Sequence, residues 1–299
     1  MHTYSENKIK AYQQENENRA RLLIRCPDQP GIVATVSQFL HEHGANIVTS
    51  DQYTLDPEGG QFFMRIEYEC PDLLKKKSNM EKDFSLIADK FEMNYDFMYV
   101  HDIKNVAIFA SKEPHCLLEL LWEWESGDLM ANIAVVISNH ETVREMVESR
   151  GIPFYYIPAN PEIRAQVEEE QKKILEQYDI DLVVLARYMQ ILTPDFVKEY
   201  KNRLINIHHS FLPAFIGAKP YERAFQRGVK MIGATSHYVT DDLDEGPIIE
   251  QDIGRVDHRD DVAAMKKIGQ EIERSVLSRA VKWHLEDRII VHGNKTIVF

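Results

Sequence analysis

The chain has 299 residues, 44% of them hydrophobic, and carries 35 Lys and Arg against 48 Asp and Glu, a net charge of -13. That length suits two domains, each with a core, and the acidic balance argues against nucleic acid and anionic membranes as partners. Cys26, Cys70 and Cys116 are odd in number, widely spaced and outside any C-x-x-C, and no run approaches the ~20 apolar residues of a membrane span, so neither a disulfide framework nor a spanning helix is expected.

Residues 1 to 18 are polar, with no apolar period, and read as a frayed or loosely helical tail without the apolar stretch of a signal peptide. Leu22 to Ile24 form a short strand, and Pro27-Asp28-Gln29-Pro30-Gly31 is a turn that opens a helix with Ile32, Val36, Phe39 and Leu40 at helical spacing. Strands follow at 48–55 and 61–69 around the turn Asp56-Pro57-Glu58-Gly59-Gly60, then a helix at 79–92 and a strand at 95–100. The short basic run Lys75 to Lys77 reads as a solvated turn. The resulting βαββαβ order is the ferredoxin-like split motif. With Cys26-Pro27-Asp28-Gln29-Pro30-Gly31-Ile32 closing its first strand, the segment 19–100 resembles the ACT family of small-molecule regulatory domains. The resemblance implies an amino-acid effector near the first loop and helix, methionine and glycine being the candidates, and a homo-oligomer.

A second unit, 105–299, begins with Val106 to Ala110, a continuous apolar run that Ile133 to Ile137 and Leu182 to Ala186 repeat. Such runs suit strands covered on both faces, and the helical stretches between them at 115–125, 141–149 and 162–178 imply a mostly parallel, Rossmann-like α/β sheet with its ligand beyond the carboxyl ends of the strands. The loop Ser111-Lys112-Glu113-Pro114-His115 contains no glycine, so it offers neither a dinucleotide fingerprint nor a phosphate cradle, and no bound nucleotide cofactor is expected.

The stretch most suited to chemistry is Leu204-Ile205-Asn206-Ile207-His208-His209-Ser210-Phe211-Leu212-Pro213-Ala214-Phe215, a strand running into a proline-shaped loop. Side chains alternate along a strand, so Asn206 and His208 share a face and can act on one ligand. Downstream, Gly233 to Val239 reads as a strand and Asp241-Asp242-Leu243-Asp244-Glu245-Gly246-Pro247 as an acidic turn that brings a carboxylate, Asp244, toward the strand end. Asn206-x-His208 with Ser210 and Leu212-Pro213, then His237-Tyr238-Val239 and Leu243-Asp244-Glu245-Gly246-Pro247, resembles the formyltetrahydrofolate hydrolase and transferase superfamily over about residues 105 to 290.

That resemblance implies chemistry at a formyl group carried on folate, with folate as substrate rather than cofactor. Asn206 and His208 would stabilise the tetrahedral oxyanion, and Asp244 would position and deprotonate the attacking water or relay a proton to the leaving nitrogen. It also places the pterin pocket at Arg187 to Leu192, of which Met189, Gln190, Ile191 and Leu192 are the contacts, together with Thr240 and the 240–244 turn. His237 is expected to line the site or to sit as a satisfied core histidine, and Leu192 and its apolar neighbours have plain core packing as their alternative. No catalytic metal is expected, since none of the histidines has the H-E-x-x-H or H-x₃-H spacing of a helix-borne site, and Ser236 is not in a G-x-S-x-G elbow.

Relatives in this superfamily pass the formyl group to glycinamide ribonucleotide, to initiator methionyl-tRNA, to sugar nucleotides or to water. The glycine-free loop disfavours a phosphate-bearing acceptor and the acidic surface disfavours tRNA, leaving water. The expected reaction is hydrolysis of 10-formyltetrahydrofolate to formate and tetrahydrofolate, supplying formate for purine biosynthesis in the cytoplasm. Formyl transfer to an amine such as glycinamide ribonucleotide, or a non-catalytic folate and amino-acid sensor, are the competing readings.

Overall fold

A computed structural model of the chain describes residues 2–56, 59–160, 162–213 and 220–299, and the side chains from residue 7 onward. Pro57 and Glu58 of the expected turn, and Ala214 and Phe215 of the strand-loop motif, lie outside the described residues. Two compact units divide the chain: 7–103 with 286–290 and 297–299, and 104–285 with 291–296 and the first six residues.

In the first unit, helix α1 (His2–Glu15) precedes β1 (Arg19–Pro27), α2 (Ile32–Glu42), β2 (Asn46–Thr54), β3 (Gln61–Glu69), α3 (Leu73–Phe91) and β4 (Asn94–Tyr99). The four strands form an antiparallel sheet in the order β2-β3-β1-β4, with Leu22 opposite both Ile66 and Phe97. Its core gathers Leu22, Ile24, Val36, Leu40, Met64, Ile66, Tyr68 and Phe84, so β1 and β3 are buried along nearly their whole length while β2 stays exposed. The expected tail is an ordered helix whose Gln13 donates to the His101 carbonyl. The second helix starts six residues earlier than the periodicity predicts, and Lys75 to Lys77 lie within its first turns rather than in a turn of their own. Here Leu73 is fully buried and Lys76 donates to the His43 carbonyl, so tertiary contacts extend the helix through a run that looked merely solvated.

This unit also takes in the segment 286–290. Buried Arg21 donates to Asp287 at 3.0 Å and to Glu67 at 3.0 Å, and Arg65 donates to the Asp287 carbonyl. The boundary drawn from sequence assigns everything after 105 to the second domain. It misses this return because the local pattern of a single aspartate, or of a short hairpin, does not say which unit it packs on.

The second unit runs β5 (Asn105–Ala110), α4 (His115–Ser126), β6 (Asn132–Ser138), α5 (Arg144–Glu148), β7 (Phe154–Tyr156), α6 (Arg164–Gln177), β8 (Leu182–Ala186), α7 (Pro194–Glu199), β9 (Leu204–His208), α8 (Pro220–Arg227), β10 (Met231–Tyr238), β11 (Ile248–Arg255) and α9 (Val262–Leu285); the chain then closes with the hairpin β12 (Ile289–His292) and β13 (Lys295–Val298). Seven strands form a sheet in the order β11-β10-β9-β8-β5-β6-β7, parallel from β9 to β7 and antiparallel at β10 and β11. β5 from Val106 onward and the whole of β8 are buried, as their continuous apolar runs require. The sequence reading has no counterpart for α9, although Met265, Ile272, Val276 and Ala280 recur on its buried face.

Candidate active site

Three elements bring the expected residues together. β9 ends in Asn206 and His208, β10 lies antiparallel beside it with His237 opposite Asn206, and the turn after β10 carries Asp244. The turn folds back against the end of β10: the Tyr238 N–H donates to the Pro247 carbonyl at 2.9 Å, and a Cβ at Gly246 would stand 1.8 Å from the Tyr238 oxygen. Only glycine permits so close an approach. Asp244 adopts φ 59°, a left-handed conformation that aspartate tolerates better than most residues.

Asp244 Oδ2 lies 3.2 Å from His208 Nδ1, and Oδ1 lies 3.7 Å from His237 Nε2. His237 Nδ1 is 2.9 Å from the Tyr238 carbonyl, which only accepts, so Nδ1 carries the proton and the neutral ring presents Nε2 as an acceptor. Asn206 Nδ2 donates to that nitrogen at 3.3 Å. The shorter amide contact therefore fixes the orientation of Asn206, and His237 serves as a buried orienting group, 2% exposed. Burial would raise the Asp244 carboxyl, but the hydrogen bond from His208 outweighs that and holds it below the usual carboxylate range. The carboxylate is thus ionised, His208 Nδ1–H donates to it, and His208 Nε2 is left for a ligand.

The next residue, His209, stacks its ring on His208 with centroids 5.2 Å apart. Burial first, then the charge of Arg187 and the neighbouring His208 ring, lowers its pKa to about 4, so it is a neutral spacer at physiological pH. Leu212 and Pro213 line a cavity of about 530 Å³ with Asp244, Glu245, Gly246 and the hairpin tip Asn294 to Thr296. Asn294 Nδ2 donates to the Glu245 carbonyl at 2.9 Å and Thr296 to the Ile248 carbonyl at 2.6 Å, so the hairpin tip braces the turn that carries Asp244.

The segment after β8 is held at both ends. Gln171 Nε2 donates to the Tyr188 hydroxyl at 2.6 Å, and buried Glu168 accepts from the backbone and hydroxyl of Thr193, which caps α7. Between them Met189 and Ile191 are 60% and 52% exposed, an unusual presentation of large apolar side chains that suits a ring-binding surface. Gln190 is half-buried at a small cleft with Tyr188 and Ile191, whereas Leu192 packs on the core, its plainer alternative. Thr240 donates to the Asp242 carbonyl at 3.1 Å and shapes the turn.

Sequence reasoning misses Glu273 on α9. Its carboxylate is 1% exposed and accepts from His115 at 2.7 Å and from the Tyr221 hydroxyl at 2.8 Å, with Arg187 Nε at 3.5 Å. The signal is a lone carboxylate on a helical stripe made by Gly269, Ile272, Val276 and Ala280.

Comparison with known proteins places the site in context. The formyl transferase family model matches residues 104–281 and the ACT domain model residues 20–82. A formyltetrahydrofolate deformylase of Bacillus subtilis (strain 168) is 65% identical over 299 residues, the whole of both chains. The chain belongs to the formyltetrahydrofolate deformylase family. A solved deformylase of this family from Pseudomonas syringae pv. tomato superposes with a TM-score of 0.90 at 46% identity, over 97% of this chain and 99% of that one. A glycinamide ribonucleotide transformylase from Symbiobacterium toebii matches 66% of this chain and 94% of its own, with a TM-score of 0.62 and 28% identity. Deformylases and transformylases thus share a fold over that part of the chain, and the full-length match decides between the families.

Proposed function

We propose that this deformylase-family enzyme hydrolyses 10-formyltetrahydrofolate to formate and tetrahydrofolate at Asn206, His208 and Asp244. The observation that carries the reading is the convergence of these groups on one strand end, with an ionised Asp244 orienting His208 through Nδ1 and, among the described residues, Nε2 unengaged. Asp244 is already engaged with His208 Nδ1 at 3.2 Å, so in this reading His208 Nε2, and not the carboxylate, takes the proton of the water.

In this reading the water oxygen bonds to the formyl carbon while His208 Nε2 takes its proton, a contribution of ~10²–10⁴ in rate. The carbonyl oxygen becomes an oxyanion and accepts the Asn206 N–H that His237 does not use; such a donor is worth ~10²–10³. The bond from carbon to the folate nitrogen then breaks, its electron pair returns to nitrogen, and nitrogen takes the proton from His208. Formate and tetrahydrofolate leave. Met189 and Ile191 offer the apolar contact for the pterin, with Gln190, Thr240 and the adjoining turn around it.

The ACT match supports a small-molecule effector, which we assign to the amino-acid class, and a homo-oligomer built through that domain. The same reading assigns the enzyme to the cytoplasm and to formate supply for purine synthesis; among the described residues no helix is long and apolar enough to cross a membrane. The test is formate release from 10-formyltetrahydrofolate with no amine present. Stoichiometric formate is expected; none without an amine, but formylation of glycinamide ribonucleotide when it is supplied, refutes the reading.

A further inference from the structure

Beside the catalytic strand end, the sheet places a second polar group that the hydrolysis described above does not use. Ala110 of β5 is opposite Ala186 of β8, and Leu185 of β8 is opposite Asn206 of β9. The next positions at the three carboxyl ends are therefore Ser111, Arg187 and His208, on strands spaced ~4.8 Å apart. β5 has β6 on one flank and β8 on the other, the reversal of strand order at which an open α/β sheet leaves a crevice for ligand.

That crevice is filled from within. Glu273 draws in His115 from the start of α4, Arg187 from the end of β8 and Tyr221 from α8. The side chains of His115 and Arg187 are each 11% exposed. Tyr221 reaches Glu273 only because α9 has glycine at 269, where a Cβ would lie 2.0 Å from the Tyr221 oxygen. His115, Cys116 and Glu273 also lie within 4.8 Å of one another in the manner of metal ligands, but the Arg187 guanidinium occupies the place of a cation against the carboxylate.

Arg187 is held at a cost. Its backbone sits at φ 63°, and among the described residues its buried Nε and Nη1 have no hydrogen-bond partner. A glycine would relieve the backbone but would leave buried Glu273 without its cation, so the ion pair holds the guanidinium in place at the strand end. We propose that Arg187, anchored by Glu273, closes the acceptor side of the catalytic centre and restricts the formyl acceptor to water. This rests on the hydrolase reading and adds the residue that determines acceptor specificity.

With the plug removed, a primary amine takes the place of water. Its nitrogen bonds to the formyl carbon and gives a proton to His208 Nε2; the bond to the folate nitrogen breaks, the electron pair returns to that nitrogen, and it takes the proton. The products are a formamide and tetrahydrofolate, with no change in oxidation state.

The test compares the full-length wild type with Arg187→Gly and with His115→Ala, each given ¹³C-formyl substrate and glycinamide, and reads labelled formate against labelled formylglycinamide by NMR. Wild type is expected to give formate alone, and Arg187→Gly to raise the amide-to-formate ratio by about tenfold or more. An unchanged ratio in a variant that still releases formate overturns the proposal. His115→Ala opens the cluster from the β5 side and decides the matter if Arg187→Gly does not fold. Loss of formate release, or of folding, in both variants also overturns it, because the cluster then serves catalysis or stability instead of acceptor choice. Wild-type formate release without amine tests the hydrolase reading by itself, so the two can fail separately.

Discussion

Asp244→Asn changes one oxygen for an isosteric amide nitrogen and so isolates what the carboxylate contributes. In the native site Oδ2 sits 3.2 Å from His208 Nδ1, with the two side chains 13% and 9% exposed, where solvent screens little. Two effects are lost together. The negative charge no longer stabilises His208 when it takes the water proton. The amide, wherever its N–H₂ faces Nδ1, also selects the tautomer with the proton on Nε2, which cannot accept another. Losing an oriented base costs ~10²–10⁴ in rate, or about 3–5 kcal/mol of transition-state stabilisation. Neither effect acts on the proposed pterin surface at Met189 and Ile191. The variant should therefore lose about 10³ in kcat while folate affinity changes by less than about threefold. Single-turnover formate release measures the first and equilibrium binding of a non-hydrolysable folate the second. A rate within tenfold of wild type, or an affinity loss equal to the rate loss, refutes the role given to Asp244.

The remaining predictions concern His209 and Gly246. Because the folded His209 takes up its proton only near pH 4, whereas an unfolded histidine does so near 6.5, the folded state binds fewer protons between those values. Its stability should fall as pH drops from 6.5 to 4, by up to about 3 kcal/mol, and His209→Gln should flatten that slope; urea midpoints at pH 7 and 4.5 that fall equally in both proteins refute it. Gly246→Ala places a methyl 1.8 Å from the Tyr238 oxygen and must displace the turn two residues from Asp244. A shift of ~1 Å at a catalytic group costs about 10² in kcat, with a far smaller change in thermal midpoint expected; full activity would show that the turn does not position Asp244.

The parts of this protein legible in its sequence are those governed by local pattern. Val106 to Ala110 and Leu182 to Ala186 announce covered strands, and Asn206-x-His208 announces a shared face, because a period of two is a local property. What the pattern could not carry is which long-range partner each polar group finds. Glu273 reads as one more carboxylate on a charged chain until α9 lays it across the ends of β5 and β8. His237 has two readings in sequence, and only the Tyr238 carbonyl, which assigns its proton, makes it an orienting group. Lys75 to Lys77 mislead for a similar reason, since burial of Leu73 pulls the helix back through them.

The buried cluster of Leu23, Phe63 and Ile290, with Met98, Ile297 and Phe299 against it, has a consequence for biosynthesis. Domains emerging from the ribosome usually fold in order, N-terminal first. Here the first unit cannot complete that cluster, or the pairing of Arg21 with Asp287 across 266 residues, until the whole second unit has been translated. Nascent chains stalled before Ile289 should carry an ACT domain with an unfinished face, a state in which the growing polypeptide depends most on chaperones.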